Sequence, residues 1–296
     1  MKSLSKVKII FYSFLALIIF FNNVIADTSA QQPDPIALSL EAPKIYETIQ
    51  DYTAIFYKQE RIGKKLMPLE KIQLKFRKPF DLYMKWIDNP YKGQEMLYKE
   101  GQNNGKILAH KGGFLGLVSV SVDPIGNLAM DNQHHAVFDA GLGSTINLIA
   151  KGLKKGIDRK EIKVNFLGEE KLEGRPVYVF EGVFPEKLEG ETYTVQKGES
   201  LWDIAKKFDQ DMYAILSNNK GIDDAYDVKE GKQILIPNHY CHKITVYIDK
   251  ELRVPTKIIN YDWKGNVYEM YQFNQLKINV GLTDKDFDPK NSDYKF

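Results

Sequence analysis

The segment of residues 193–237 carries a complete set of local folding signals, and it constrains the fold of this chain more than any other stretch. It opens with a Tyr-Thr-Val run and closes with Ile-Leu-Ile-Pro, and both runs favour β-strands. Ser200 and Asp203 have the spacing of a helix capping box, and apolar residues at helical spacing follow them. Asp211 stands where a second helix would be capped. The segment is therefore predicted to fold as strand, helix, helix, strand.

The same segment resembles the lysin motif (LysM) domain over its whole length. The resemblance rests on the Tyr-Thr-Val run, on Lys-Gly-Glu-Ser-Leu-Trp-Asp-Ile-Ala from Lys197, on Asn218-Asn219 and on Gly-x-x-Ile-x-Ile-Pro from Gly231. Two features depart from the usual pattern. Lys232 stands where this family more often has Gln, and the loop before Gly231 is longer than usual.

The resemblance implies a groove that binds the N-acetylglucosamine units of peptidoglycan or chitin. In this family the groove lies between the loop after the first strand and the loop after the second helix, and it holds the sugars through main-chain hydrogen bonds and apolar contacts. Carried onto this sequence, the two walls are Gly198, Glu199, Ser200 and Leu201, and Asn219, Lys220, Gly221 and Ile222. For Gly198 and Ser200 the alternative is a purely local role in a turn and a helix cap.

The start of the chain predicts export. Three lysines precede an apolar run at residues 9–21, and Val24-Ile25-Ala26 offers the small-residue pattern of a cleavage site. The apolar run is short for a membrane span, so residues 1–26 are predicted to be a secretory signal peptide. A retained N-terminal anchor is the alternative. No Cys stands directly after the apolar run, so lipid modification is not expected there.

Charge and cysteine content exclude two classes of protein. The 41 Lys and Arg residues and 39 Asp and Glu residues nearly balance, and removal of residues 1–26 leaves 38 basic residues against 39 acidic ones. There is no basic field for nucleic acid. Cys241 is the single cysteine, so the chain has no internal disulfide.

Outside the LysM-like segment, the pattern is mostly that of antiparallel strands. Residues 36–52 are predicted to form an amphipathic helix that Pro43 breaks or kinks, with Leu40, Ile45, Ile49 and Tyr52 on its inner face. Apolar and polar residues then alternate with period two in short runs, interrupted by a predicted helix at residues 145–154. Strands this closely spaced are antiparallel neighbours.

The alternation stops before the LysM-like segment and resumes after it. An insertion into a hairpin loop explains this best, because exposed loops tolerate inserted domains. We therefore predict a LysM domain at residues 192–237 inside a discontinuous host domain at residues 35–190 and 239–296.

The host domain resembles a bacterial exported family of unknown function. The resemblance rests on YTAIFYKQE from Tyr52, PFDLYMKW from Pro79, GQE from Gly93, YKEG from Tyr98 and the closing run from Leu282. That family is distantly similar to the periplasmic carrier of outer-membrane lipoproteins. The similarity implies an α+β fold in which a strongly curved antiparallel sheet, an unclosed barrel, wraps round helices, and whose hollow accepts acyl chains.

Large apolar residues of the host are expected to face the inside of this sheet. Sequence does not distinguish a packed core from a lipid cavity, since both need the same inward pattern, and we favour a packed core. The residues concerned are Phe56, Phe76, Tyr83, Trp86, Met96, Leu108, Leu117, Tyr178, Phe180, Met270 and Phe273.

Histidine pairs were considered as metal ligands. His134 and His135 are adjacent, so on a strand they would point to opposite faces, and no acidic or Cys partner stands at ligand spacing. They are predicted to be a turn or surface pair. His239, Cys241 and His242 are denser in ligand atoms, but a metal site is the less favoured interpretation there as well.

Gly141-x-Gly143-Ser144-Thr145 precedes the predicted helix and could hold an anion at its N-terminus. Since the spacing of a phosphate-binding loop is absent, two turn glycines and an N-cap are the preferred explanation.

The chain lacks the Gly-x-Ser-x-Gly and His-Glu-x-x-His motifs of hydrolases. We predict a non-enzymatic peptidoglycan-binding protein, without metal or cofactor, exported to the periplasm or cell envelope and associated with the wall through its glycan strands. A lipid or lipoprotein carrier, with an acyl chain in the host domain, is one alternative. A peptidoglycan hydrolase with an unrecognised carboxylate pair is another.

Overall fold

The computed structural model describes residues 33–112 and 118–296. The predicted signal peptide lies outside these residues, and so does Leu117. The α-helices of the described residues are α1 (Pro35–Glu47), α2 (Asn127–Met130), α3 (Leu142–Asp158), α4 (Leu201–Lys207) and α5 (Met212–Ser217), and short 3-10 turns occur at Asn103–Gly105, Val137–Asp139 and Asp284–Phe287. None of these helices has the length and apolar character needed to cross a membrane.

The described strands form one large antiparallel sheet and one small sheet. The strands are β1 (Asp51–Ile62), β2 (Lys65–Leu66), β3 (Glu70–Arg77), β4 (Asp81–Trp86), β5 (Glu95–Lys99), β6 (Ile107–His110), β7 (Ser119–Val122), β8 (Lys163–Leu172), β9 (Arg175–Val183), β10 (Gly190–Thr194), β11 (Gln233–Pro237), β12 (Lys243–Asp249), β13 (Pro255–Tyr261) and β14 (Val267–Ile278). The large sheet has the order β7-β6-β5-β4-β3-β1-β14-β13-β12-β9-β8, with β2 beside β1. Its two ends do not pair, so the predicted α+β fold with an unclosed sheet is confirmed.

Helix α1 differs from its prediction at both ends. Asp34 caps it by accepting a hydrogen bond from the Ile36 amide at 2.9 Å, and the helix continues through Pro43 to Glu47. Tyr52 belongs to β1 and not to the helix. Leu40 is 44% exposed, so its predicted place on the inner face is wrong.

Helices α1 and α3 pack on one face of the large sheet and close a continuous apolar core. Phe56, Phe76, Trp86, Phe180 and Phe273 are all buried in this core. These aromatic side chains pack against one another, as the stacked rings of Phe56 and Phe273 with centroids 4.9 Å apart illustrate. The packed-core interpretation therefore holds for this part of the sheet.

The opposite face of the sheet is covered by the C-terminal segment, which the sequence analysis did not anticipate. Tyr83 lies on this face, where its ring stacks on Tyr294 at 3.9 Å, and it forms a second buried cluster with Leu97 and Phe287. Leu108 packs against that cluster. Its expected inward position, and that of Tyr83, are therefore wrong, because each residue is out of phase with the inward residues of its strand.

The N-terminal cap of α3 differs from the one predicted. Gly141 is the N-cap, with φ +97°, and Gly143 is already inside the helix. The Tyr52 hydroxyl accepts a hydrogen bond from the Leu142 amide at 2.8 Å, so a side chain of β1 occupies the helix N-terminus. A Cβ on Gly143 would lie 2.4 Å from the ring of Tyr46. Glycine is therefore required for the close packing of α1 on α3.

The LysM-like segment lies between two strands that pair with each other. β9 and β12 are antiparallel, with Val183 opposite Lys243, and β10 and β11 form their own sheet with Gly190 opposite Pro237. The domain boundaries given above stay a prediction.

Asp249, at the end of β12, is buried and pairs with the half-exposed Arg175, and its contribution to stability should depend on pH. It is 1% exposed and accepts hydrogen bonds from the Arg175 guanidinium at 2.5 and 2.8 Å and from the Glu251 and Leu252 amides at 2.9 Å. Burial opposes its charge, but these bonds prevail and hold the pKa of Asp249 below its usual value. We expect Asp249→Asn to lower the free energy of unfolding by about 1–3 kcal/mol at pH 7.

The pH dependence of this difference follows from the lowered pKa. A carboxylate whose pKa is lowered by folding stabilises the protein above its unfolded pKa, and the contribution is lost as the pH falls through the folded value. Urea denaturation at pH 7 and near pH 3 should therefore show the gap between Asp249→Asn and the natural sequence narrowing in acid. Asp209→Asn, which removes an exposed ion pair with Lys151, is the control with little effect at either pH.

Candidate functional site

The LysM-like segment folds as its sequence predicts. The Ser200 side chain accepts a hydrogen bond from the Asp203 amide at 3.2 Å, and the Asp203 carboxylate accepts one from the Ser200 amide at 3.0 Å, which completes the capping box of α4. Asp211 caps α5 by accepting a hydrogen bond from the Ala214 amide at 3.0 Å. β10 and β11 close the unit, so the predicted order of strand, helix, helix, strand is confirmed.

The first predicted wall of the groove is held in shape by one carboxylate. Glu199 accepts hydrogen bonds from the Gln196 amide at 2.8 Å, from the Tyr193 hydroxyl at 2.8 and 2.9 Å and from Lys207 Nζ at 3.3 Å. The amide hydrogen bond is the largest cause of a lowered pKa for Glu199. Its carboxylate therefore folds the loop, while Gly198 beside it is exposed, with φ +79° and open space around its Cα.

The second predicted wall is tied to the closing strand. The Asn219 side chain donates to the Ile215 carbonyl at 2.7 Å and to the Leu235 carbonyl at 2.8 Å, and it accepts from the Leu235 amide at 2.7 Å. Lys232, the residue that departs from the usual LysM pattern, donates to the Gly221 carbonyl at 3.0 Å. Asn219 and Lys232 thus fix the loop from both sides.

Two of the predicted groove residues have their side chains in the core of the domain. Leu201 is 0% exposed and Ile222 is 2% exposed. The Leu201 amide donates to the Ala225 carbonyl at 2.7 Å, so the two loops are joined directly. Gly198, Lys220 and Gly221 are the exposed members of the predicted set. Whether they line a ligand groove stays a prediction.

The LysM-like segment packs against the large sheet domain. Its core includes Met130 and Ala136, which come from the segment before α3. Tyr226, on the long loop of the second wall, donates to Asp123 at 2.9 Å. On the other side, Tyr213 of α5 stacks on His134 with centroids 3.9 Å apart. The segment is therefore held against the host at two separate places.

A pocket of about 680 Å³ lies between α3, the two LysM helices and the strands β9, β12, β13 and β14. Apolar and polar side chains from both parts of the chain line it. The lining includes Leu148, Phe180, Trp202, Met212, His135 and Tyr240.

The pocket borders a group of buried charged residues, because His135 and Asn260 belong to its lining. Along β1 the inward positions Tyr52, Ala54 and Phe56 are followed in the same phase by Lys58 and Glu60, which are also buried. Glu70 precedes the inward apolar residues of β3 in the same way, and Glu269 precedes those of β14. We call the side chains of Lys58, Glu60, Glu70, His134, His135, Asn260 and Glu269 the buried polar cluster.

Within the buried polar cluster, Lys58 is the central cation. Its Nζ lies 3.1 Å from Glu60 and 3.3 Å from Glu70, and Trp86 donates to Glu70 at 2.5 Å. Burial lowers the pKa of Lys58, but the two carboxylates outweigh burial and raise it overall. Burial likewise opposes the charge of Glu60, and Lys58 is the main cause of its lowered pKa.

Comparison with known proteins places the chain in a family. A family model described as "Protein of unknown function (DUF1571)" matches residues 49–207 and 232–296, which is most of the chain. The chain belongs to the DUF1571 family. A second model, the LysM domain, matches residues 193–237 and confirms the resemblance found in the sequence. No curated protein matches this DUF1571 chain.

Comparison with solved structures finds several proteins that this chain resembles. A putative outer membrane lipoprotein-sorting protein domain from Vibrio parahaemolyticus has 12% identity and a TM-score of 0.34, covering 86% of this chain and 95% of that one. A LolA superfamily protein from Nitrosomonas europaea has 10% identity and a TM-score of 0.32, covering 85% and 96%. The Mycobacterium tuberculosis lipoprotein LppX has 10% identity and a TM-score of 0.41, covering 86% and 100%. At these identities and TM-scores the similarity carries no conclusion about ligand or function.

The prediction that His134 and His135 are a turn or surface pair in this DUF1571 protein is wrong as to the surface, because His134 is 1% exposed. Both side chains are turned inward from the loop before α3, and both contact Glu269, at 2.9 and 3.1 Å. The acidic partner is 134 or more positions away in the sequence, so no spacing rule could find it. The sequence did contain one indication of the buried polar cluster. In the period-two pattern of their strands, Lys58, Glu60 and Glu269 lie in phase with buried apolar residues.

His239, Cys241 and His242 do not converge. His239 Nε2 lies 2.7 Å from Glu161, while His242 Nδ1 lies 3.2 Å from the Pro185 carbonyl. Cys241 is buried beside Asn260, and burial raises the pKa of its thiol. The three side chains have separate partners.

Proposed function

We propose that this DUF1571 protein is a non-enzymatic, exported protein of the bacterial envelope that binds the N-acetylglucosamine-containing glycan strands of peptidoglycan. The observation that carries the proposal is the LysM domain at residues 193–237. Support comes from the two loops that its sequence singles out, because Gly198, Lys220 and Gly221 are exposed and their main chains are open to a ligand.

The packing of the LysM domain on the host would determine how a bound glycan strand is oriented. Met130 and Ala136 of the host pack into the LysM core on one side and Tyr213 stacks on His134 on the other, so a glycan strand bound to the loops would have a defined orientation relative to the large sheet. A single LysM domain offers a small contact area and no avidity, so binding should be weak and reversible.

The first test is co-sedimentation of the full-length chain with purified peptidoglycan sacculi. The informative variant is the double substitution Gly198→Val and Gly221→Val. Each glycine has positive φ and open space around its Cα, so the added side chains project into the groove. Loss of one or two main-chain hydrogen bonds to the sugar should weaken binding about tenfold or more.

The matched control is Gly63→Val with Gly174→Val. These glycines also have positive φ and open space, but they lie in turns of the host, so the backbone strain is similar and the groove is untouched. We expect the control to pellet like the natural sequence, and soluble N-acetylglucosamine oligomers to release it. Equal pelleting of both double variants would show that the wall is contacted elsewhere. A natural chain that does not pellet would overturn the proposal and make the pocket the next candidate binding site.

A further inference from the structure

One carboxylate oxygen in the buried polar cluster has more polar neighbours than it can accept hydrogen bonds from. Glu269 Oε2 lies 2.9 Å from His134 Nδ1 and 3.1 Å from His135 Nε2. The hydroxyls of Tyr240 and Tyr271 lie 2.5 and 3.0 Å from the same atom. A carboxylate oxygen has about two lone-pair directions, so four hydrogen-bond donors do not fit on it together.

The hydrogen positions on the two histidine rings are also difficult to reconcile with these contacts. His134 Nε2 lies 2.9 Å from the Arg61 carbonyl, which can only accept, so Nε2 carries the hydrogen. In a neutral ring Nδ1 is then an acceptor, and it faces the carboxylate of Glu269. His135 lies between two carboxylates, with Nδ1 3.0 Å from Asp211 but outside hydrogen-bond geometry. A cation that lies between the two rings and Glu269 would remove both difficulties.

The charge of the cluster favours a divalent cation. Lys58 is its one permanent positive charge, and Glu60, Glu70 and Glu269 are three negative ones. All four residues are at most 7% exposed. With neutral histidines the group is two positive charges short, and unbalanced buried charge is costly.

We propose that His134 Nδ1, His135 Nε2, Glu269 Oε2 and Tyr240 Oη bind a divalent transition-metal ion, with zinc the best match to two imidazoles and two oxygens. The Tyr240 hydroxyl lies 3.4 Å from His134 Nδ1 and 3.3 Å from His135 Nε2. Five of the six distances between these four atoms therefore run from 2.5 to 3.4 Å. In tetrahedral zinc with bonds of about 2.0–2.1 Å, ligand atoms are about 3.3 Å apart. Small rearrangements would bring the four atoms onto one ion.

The outer contacts are those that a metal site needs. A metal-binding histidine usually donates its second nitrogen to a carbonyl or carboxylate. Here the second nitrogen of His134 lies 2.9 Å from the Arg61 carbonyl. That of His135 lies 3.0 Å from the Asp211 carboxylate, and a small rotation would be needed to form the hydrogen bond. The other oxygen of Glu269 accepts a hydrogen bond from Asn260 at 2.7 Å. His135 and Tyr240 line the pocket, which gives an ion a route to the site.

The ion would join separate parts of the chain. Glu269 belongs to β14, the two histidines to the loop before α3, and Tyr240 to the segment that follows the LysM domain. Asp211 and Tyr213 of the LysM domain contact the histidines from the other side. Bound metal would therefore fix the LysM domain on the host sheet.

The test measures zinc bound to the full-length chain after chelator treatment and titration with Zn²⁺ alone. We expect one zinc per chain and a rise in Tm of about 5–10 °C at a hundredfold excess over Kd. Glu269→Gln, which keeps the shape of the side chain, should abolish both. His239→Gln removes a different His–Glu pair and should leave both unchanged.

Two further variants separate a metal site from a purely structural network. Asp211→Asn retains a good N-cap for α5 but removes the charge that orients His135, and it should weaken zinc binding about 10–100-fold. With Co²⁺ in place of zinc, Tyr240→Phe should change the visible absorption, because a coordinated oxygen is lost. Zinc content equal in the natural chain and Glu269→Gln would overturn the proposal. So would zinc lost from Asp139→Asn and kept by Glu269→Gln, since a neighbouring group of His135, Asp139 and Asp211 would then hold it.

Discussion

Replacing Lys58 with methionine is expected to lower the free energy of unfolding by about 3–5 kcal/mol at pH 7. Methionine keeps most of the length of the side chain, so the substitution chiefly removes the charge. Glu60 and Glu70, which lie 3.1 and 3.3 Å from Lys58 Nζ, would remain buried without their cation. A buried carboxylate that loses its partner costs far more than an exposed one, because water cannot replace the lost interaction.

The defect should shrink in acid. Without Lys58, the burial that already opposes the charge of Glu60 would raise the pKa of this residue in the folded variant above its unfolded value. An acid whose pKa is raised by folding destabilises the protein above its unfolded pKa, and the penalty disappears as the pH falls and the group is protonated in both states. Chemical denaturation at pH 7 and near pH 5 should show the difference from the natural chain narrowing.

Lys75→Met is the matched control, because Lys75 pairs with Asp286 at 2.9 Å on the opposite face of the same sheet, where both side chains are partly exposed. Its effect should be about 0–1 kcal/mol. If Lys58→Met and Lys75→Met destabilise the chain equally, the buried polar cluster is not the electrostatic unit described here.

Replacing Tyr213 with alanine is expected to be the most damaging change at the surface between the LysM domain and the host, at about 3–5 kcal/mol. Tyr213 is 6% exposed, its ring stacks on His134, and its hydroxyl donates to the Arg61 carbonyl at 3.3 Å. Truncation would leave a cavity between α5 and the loop before α3. The LysM domain should then loosen from the host while its own core remains intact.

Hydrogen exchange measured by mass spectrometry would locate the effect. We expect faster exchange in α5 and in the loop of His134 and His135, and unchanged exchange in the strands β3 and β4. Tyr226→Ala is the control, because Tyr226 also contacts the host but is 54% exposed, and its loss should cost within about 0.5 kcal/mol. Equal exchange in the two variants would mean that Tyr213 does not hold the domain in place.

The Tyr213→Ala variant also tests how wall binding is related to the docking of the LysM domain on the host. If Tyr213→Ala loosens the LysM domain but the variant still pellets with sacculi, glycan binding and docking are separate properties. The docked arrangement would then serve to orient the host at the wall.

Local features of the fold were predictable because their causes lie within a few residues of each other. The capping box of Ser200 and Asp203 and the cap of Asp211 are contacts over three positions, so the LysM domain could be recognised from sequence. The period-two alternation of β1, β3 and β4 likewise follows from strand geometry. The family match confirms the resemblance of the host.

The candidate groove was predictable only in part. The two walls come from known motif positions, and Gly198, Lys220 and Gly221 are exposed as a groove requires. The burial of Leu201 and Ile222 and the bonding of the Asn219 side chain to Leu235 depend on how helices and strands pack. Whether these residues bind glycan stays a prediction.

By itself, then, the sequence determined the LysM domain, the antiparallel strands and the family, because these follow from local spacing and side-chain periodicity. Tertiary structure alone decided what covers Tyr83, which group caps α3 and what surrounds His134 and His135. The Tyr52 hydroxyl reaches Leu142 across 90 positions, and Glu269 reaches His134 across 135. Contacts between such distant positions are set by the order of strands in the sheet, and a single sequence carries no spacing that reveals them.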